Sequence, residues 1–188
     1  MNPIFRNTLF SGTLMVVAFL LLLLLRPEEG SRNINNISSP GTTMLFILGM
    51  IVPGFLFGLA LSLALPSVVV VKKTIFILLS GFLYMGLVFG AISRGSTFTL
   101  PIVIASGIGG FVMMLLVHFL LHPIPLTQSL VAGAIIGLIA AIPFFMLFQS
   151  PEEAKSIGKI AGIVGLGIYL YWQAGIGFYL SKVMDNVS

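Results

Sequence analysis

The sequence predicts an all-α fold, a polytopic integral membrane bundle of about six transmembrane helices with short loops. Three observations predict it. Hydrophobic residues make up 58% of the 188 and charged residues 7%, whereas a soluble surface carries roughly 25–35% charged residues. The fourteen charges (nine Lys or Arg, five Asp or Glu) are placed so that 7–25, 33–71, 74–93, 95–151 and 160–181 are free of them. The apolar runs inside these stretches approach or exceed the ~20 residues a helix needs to cross a bilayer at 1.5 Å per residue. They alternate too little for barrel strands, and in hydrocarbon a helix pairs every backbone N–H and C=O within its own segment.

Six spans are expected, at about 8–25, 43–65, 74–92, 98–121, 130–148 and 160–180. Arg6 precedes the first, which ends in six leucines and runs into Arg26-Pro27-Glu28-Glu29. A cleavable signal has an apolar region of about 7–15 residues and a small-residue cleavage site; this run is longer and has no such site, so it reads as a retained span. Gly12 is its one glycine, which predicts a place at the bundle edge, facing lipid or a partner. Ser39-Pro40-Gly41 closes a polar, asparagine-rich loop before span two. Pro66 and Lys72-Lys73 separate spans two and three, and Val68–Val71 either lengthens span two or lies at the interface. Ser93-Arg94-Gly95-Ser96 is a tight turn before span four. His122-Pro123-Ile124-Pro125 divides span four from span five, because proline cannot continue a helix and restricts its predecessor. Ser150-Pro151-Glu152-Glu153 reads as a helix start leading into span six, with Ser150 as N-cap and acids in the first turn. Asn36-Ile37-Ser38 and Asn186-Val187-Ser188 match the glycosylation sequon but read as chance triplets. A shift of 56 residues sets Gly54-Phe55 on Gly110-Phe111 and Gly81 on Gly137, a match best explained by low sequence diversity.

Small residues recur at a spacing of four: Gly54 and Gly58, Gly86 and Gly90, Ser106 and Gly110, Gly133, Gly137 and Ala141, Gly158 and Gly162. That spacing puts them on one helix face, where they admit close helix approach in a solvent that supplies no hydrophobic drive between helices. They predict tight packing and carry no chemistry.

No Asp, Glu, Lys or Arg falls inside a predicted span, which argues against proton pumps, ion-coupled carriers and voltage sensors. Tyr169, Trp172 and Gln173 share a face of span six. With Tyr84 of span three they are the candidate ligand-binding residues, one wall of a cavity for a small, weakly polar or amphipathic molecule. The plainer reading bonds Gln173 to an adjacent helix. Ser80 and Tyr84 form a weaker pair of the same kind. His118 and His122, at i, i+4, are weak metal candidates; with no cysteine and no acid in the spans, the plainer reading is a hydrogen bond from His118 to a neighbouring helix. Pro53, Pro101 and Pro143 fall inside spans and could kink them. Ser106 lies twelve residues from His118 on one helix, about 18 Å along its axis, too far for a Ser–His pair. No catalytic residue and no cofactor is implied.

The expected function is non-enzymatic: an integral membrane subunit packed within a larger membrane complex, with the lipid bilayer and other membrane subunits or further copies of the chain as partners. The first alternative is a transporter component or passive channel for a small solute or lipid, with a cavity lined by Tyr84, Tyr169, Trp172 and Gln173. The second is a membrane-embedded lipid-acting enzyme. The nine cations are scattered singly or in pairs, which excludes nucleic acid as a partner. They nearly tie across the membrane, four on the side of the termini and five opposite. The Lys72-Lys73 pair in a short loop and the acids crowded into 28–29 and 152–153 favour both termini in the cytoplasm; the expected location is the plasma (inner) membrane.

Overall fold

The computed structural model describes residues 1–25, 40–92, 99–147 and 159–185. Among these residues every regular element is helical: α1 (Pro3–Leu25), α2 (Pro40–Ala64), α3 (Val70–Ile92), α4 (Thr99–Leu116) continued by a π-helical turn (Val117–Leu121), α5 (Leu126–Leu147) and α6 (Lys159–Asp185). Three of them carry stretches long and apolar enough to cross a membrane: Val70–Leu87, Leu100–Leu121 and Leu126–Pro143. In α2 a shorter apolar stretch, Ile51–Ala64, is described.

Five of the six helices begin earlier than the expected apolar runs, and in α1 a polar residue closes the first turn. α1 starts five residues before the expected span: Asn2 Oδ1 accepts the Ile4 N–H at 2.8 Å, meeting one of the donors that a helix start leaves open. Val68–Val71 does not extend α2. Pro66 supplies no N–H to continue that helix, Val68 N–H donates to Leu65 O in the turn, and Val70 and Val71 open α3. Pro101 lies in the first turn of α4, where its missing N–H costs nothing, so it is no kink site. Pro53 and Pro143 lie within α2 and α5. The 150–153 helix start and the 93–96 turn lie outside the described residues.

Each helix packs on its neighbours in chain order, and α6 packs on α1, so the six close a ring. Two pairings are set by backbone approach at small residues. A β-carbon at Gly110 would collide with the Gly133 carbonyl, and one at Gly137 with the Ser106 carbonyl, so α4 and α5 cross antiparallel with their backbones in contact. In the α2–α3 pair, Gly54 faces Ser80 and Gly81, and Gly58 faces Ser80 and Ile77. The 56-residue shift would have Gly110 meet Ile136 and Gly137. It meets Gly133 and Ala134 instead, three residues or nearly one helical turn away, so the two hairpins do not share a packing register. Gly86 and Gly90 differ from the rest, for a β-carbon at either would meet nothing within 4 Å among the described residues. Gly158 lies outside the described residues, and Gly162 lies in the first turn of α6.

The expectation that the first helix is peripheral is corrected. α1 sits between α2 and α6 and closes the ring. Ile4, Thr8, Ser11 and Met15 form a buried stripe, with Thr8 against Gly177 and Gly12 against Leu170. Small and polar side chains made this face inconspicuous beside the leucine run, yet it is the face that fits another helix closely.

Candidate functional site

The ring is filled by one contiguous core that includes Phe57, Phe76, Tyr84, Met113, Met114, Trp172, Ile176 and Leu180. At its centre lies the group singled out from the sequence. Tyr84 of α3 stacks on Tyr169 of α6 with centroids 5.6 Å apart. It also meets the Trp172 ring edge-on at 5.1 Å. Phe57 of α2 meets the other side of Trp172 at 5.2 Å. A β-carbon at Gly109 of α4 would come within 3.9 Å of the Trp172 ring, so four helices converge on one indole. Such edge and stacked geometries suit the quadrupoles of aromatic rings.

Gln173 is fully buried and donates through Nε2 to the Pro53 carbonyl of α2 at 3.2 Å. That bond joins two helices whose backbones scarcely approach each other across the ring. The Tyr84 hydroxyl has the Gln173 side chain within electrostatic reach. Neither that hydroxyl nor Gln173 Oε1 forms a hydrogen bond of standard geometry. The structure thus brings Tyr84, Tyr169, Trp172 and Gln173 together and adds Phe57 and Pro53. Trp172 and Tyr84 are only 4% and 6% exposed, so the group is packed side chain on side chain. Phe57 had no distinguishing signal among 16 phenylalanines. Pro53 had one: a proline in an apolar helix marks irregular backbone, and the partner of Gln173 is that residue's own carbonyl.

Ser80 does not reach Tyr84; its Oγ donates back to the Ile77 carbonyl at 2.9 Å. Ser129 of α5 and Tyr179 of α6 share a hydrogen bond of 3.1 Å between their hydroxyls, a further polar tie between neighbouring helices.

The two histidines do not share a helix face. The helix widens to a π-turn at Val117–Leu121, and His122 follows it in an extended conformation with its N–H donated to Val117 O at 2.9 Å. Imidazole Nδ1 of His118 lies 2.9 Å from Ile124 O and 3.1 Å from Ile124 N. In one tautomer it donates to the carbonyl, in the other it accepts the N–H; either way the ring nitrogen is committed to the α4–α5 connection. The partner is the following loop rather than a neighbouring helix. Among the described residues no group of three or more His, Cys, Asp or Glu side chains is placed to hold a metal.

Outside the ring, a groove of ≈ 430 Å³ runs between α1 and α2 near the end that carries the N-terminus. Arg6, Asn7 and Ser11 form its polar part, and Phe10, Leu59 and Leu63 are among its apolar walls.

No protein family, curated protein or solved structure matches the chain.

Proposed function

We propose that this chain is a non-enzymatic, multi-pass integral membrane protein that works as a subunit packed within a larger membrane complex. All six helices cross the bilayer in this reading. α1, α2 and α6 have 23, 25 and 27 residues, roughly 34–40 Å at 1.5 Å per residue, against a hydrocarbon core of about 30 Å. They stand in one ring with the three helices whose described residues already suffice. The membrane is the plasma (inner) membrane, with both termini cytoplasmic.

The observation that carries the reading is the contrast between inside and outside. The centre is occupied by Trp172, Tyr84, Phe57 and Gln173 rather than left open for a substrate. On the outside, Gly86 of α3 offers a flat spot where an added β-carbon would meet no described residue of this chain. A second helix lying there would use the same close approach that α4 and α5 use on each other. The partner is another membrane subunit or a further copy of this chain.

Extraction into native lipid nanodiscs followed by native mass spectrometry tests this. The expected result is an assembly larger than one chain, dispersed by Gly86→Leu while the thermal stability of the single chain is kept. A monomer in the wild-type extract overturns it.

One observation favours a second reading, a transporter component or passive channel for a small neutral solute. The Tyr84 hydroxyl and Gln173 Oε1 are buried and form no hydrogen bond of standard geometry, and a guest with one donor and one acceptor would satisfy both. Solute flux in proteoliposomes that Gln173→Leu abolishes would move the assignment to this reading.

A further inference from the structure

We propose that the groove between α1 and α2 is a binding site for one anionic phospholipid, with the phosphate at Arg6 and an acyl chain along the apolar wall. The proposal rests on the membrane-spanning reading above but is independent of any protein partner.

The polar end of the groove is built rather than incidental. Arg6 Nε donates to Asn7 Oδ1 at 3.4 Å, and Asn7 Nδ2 donates to the Ala60 carbonyl of α2 at 3.4 Å. This relay ties an exposed guanidinium to the rim where the two helices meet. A guanidinium has five N–H donors, so four remain without an acceptor among the described residues. Planar, always charged and multiply donating, it suits a phosphate better than any other side chain does.

Below it, about 7.5 Å along the helix axis, Ser11 belongs to the same wall. Its side chain is 5% exposed, and its Oγ has no hydrogen-bond partner. A buried hydroxyl with an unmet donor is costly in an apolar setting. On the apolar wall, Phe10, Leu14, Leu59 and Leu63 keep 40–70% of their surface uncovered, at 68%, 44%, 43% and 67%. The volume of ≈ 430 Å³ falls in the range of ligand pockets, about 300–1,000 Å³. The groove thus sets a cation at its polar end beside an apolar wall, the two chemical parts that a phospholipid's phosphate and tail would meet.

Charge complementarity selects an anionic lipid. Arg6, Lys72, Lys73 and Lys182 gather at this end of the ring, with Asp185 the one acidic residue there among the described residues. Net positive potential near a bilayer surface attracts anionic headgroups, and only Arg6 of these cations lines the groove.

Native mass spectrometry of the whole chain in detergent, titrated with phosphatidylglycerol and separately with phosphatidylcholine, tests the site. The wild type is expected to hold one phosphatidylglycerol with roughly tenfold preference, the size of one charge-assisted contact. Arg6→Gln should reduce that preference to about twofold or less, whereas Lys72→Gln, which removes the same charge outside the groove, should leave it within about twofold of wild type. Leu59→Trp fills the groove and should expel the lipid with Arg6 intact, at an unchanged melting temperature. Soluble glycerol 3-phosphate should not compete, because it lacks the chain. Equal retention of the two lipids by the wild type overturns the proposal, as does an unaltered preference in Arg6→Gln or a loss as large in Lys72→Gln. Loss of the membrane reading is a distinct outcome, namely an intact chain that stays monodisperse once all amphiphile is removed.

Discussion

Glycines of identical sequence spacing have opposite environments here, and single substitutions separate them. At Gly137 a β-carbon meets the Ser106 carbonyl and the backbone of Gly107, which cannot yield as a side-chain tip can. Gly137→Ala is therefore expected to lower stability by about 1–3 kcal/mol, the usual cost of overpacking. At Gly86 the added methyl meets nothing, so Gly86→Ala should raise single-chain stability by roughly 0.5–1 kcal/mol through the lower helix propensity of glycine. Unfolding of the two variants in the same detergent reads the difference, and equal shifts would contradict the packing described. Gln173 is a second case. Gln173→Leu removes the 3.2 Å bond to Pro53 O, worth about 1 kcal/mol, and also removes the unpartnered Oε1 that costs a comparable amount. Net stability should change by less than about 1 kcal/mol, measured in the same assay. The i, i+4 spacing itself was legible in the sequence. Which glycines face a neighbour was not, because spacing defines a face but not the direction in which it points.

At the scale of elements, helix existence was readable and helix context was not. Uninterrupted apolar runs and prolines at 66, 123 and 125 delimit α2 to α5 to within about four residues. Hydropathy is blind to the wider turn at Val117–Leu121, which is as apolar as the helix before it, so His118 and His122 looked like one face. The π-turn instead brings His118 onto Ile124 and closes the connection to α5. His118→Ala leaves the Ile124 N–H or carbonyl without its partner, and it should cost about 1–3 kcal/mol. His118→Asn keeps an acceptor and donor near the same place and should recover part of that loss. Chemical denaturation of the three proteins checks both. The misplacement of α1 has a similar origin. Its leucines carry the hydropathy signal, whereas the contacts that bury it are made by Ile4, Thr8, Ser11 and Gly12, a face whose small and polar members match the neighbouring helices in shape rather than in greasiness.

For the whole molecule, closure of the ring has two measurable consequences. Six antiparallel helices return the chain to the side from which it started, so labels near Met1 and Ser188 should react with a membrane-impermeant reagent from the same side of a sealed vesicle. Labels reacting from opposite sides would exclude the six-crossing reading. Closure also places the one tryptophan of the chain at the meeting point of four helices, 4% exposed. Its fluorescence should be blue-shifted and insensitive to iodide. It should also resist quenchers carried on lipid tails, since the rings of Phe57 and Tyr84 intervene. Efficient quenching from either phase would show that the centre is open.

Composition and the positions of fourteen charges were enough to anticipate that the described residues are helical and roughly where each helix runs, because those depend on local matters: which solvent a segment tolerates and where proline or charge interrupts it. The aromatic pair on α6, Gln173 beside it and the small-residue spacing could be picked out by the same means. Only the tertiary structure decided what they meet. Tyr84 and Phe57 find Trp172, Gln173 finds the Pro53 carbonyl 120 residues away, α1 closes the ring, and a groove beside Arg6 remains open. In an almost uniformly apolar chain nearly every helix face is equally willing to be buried, so shape complementarity and a few hydrogen bonds choose among them, and these exist only once the helices are side by side.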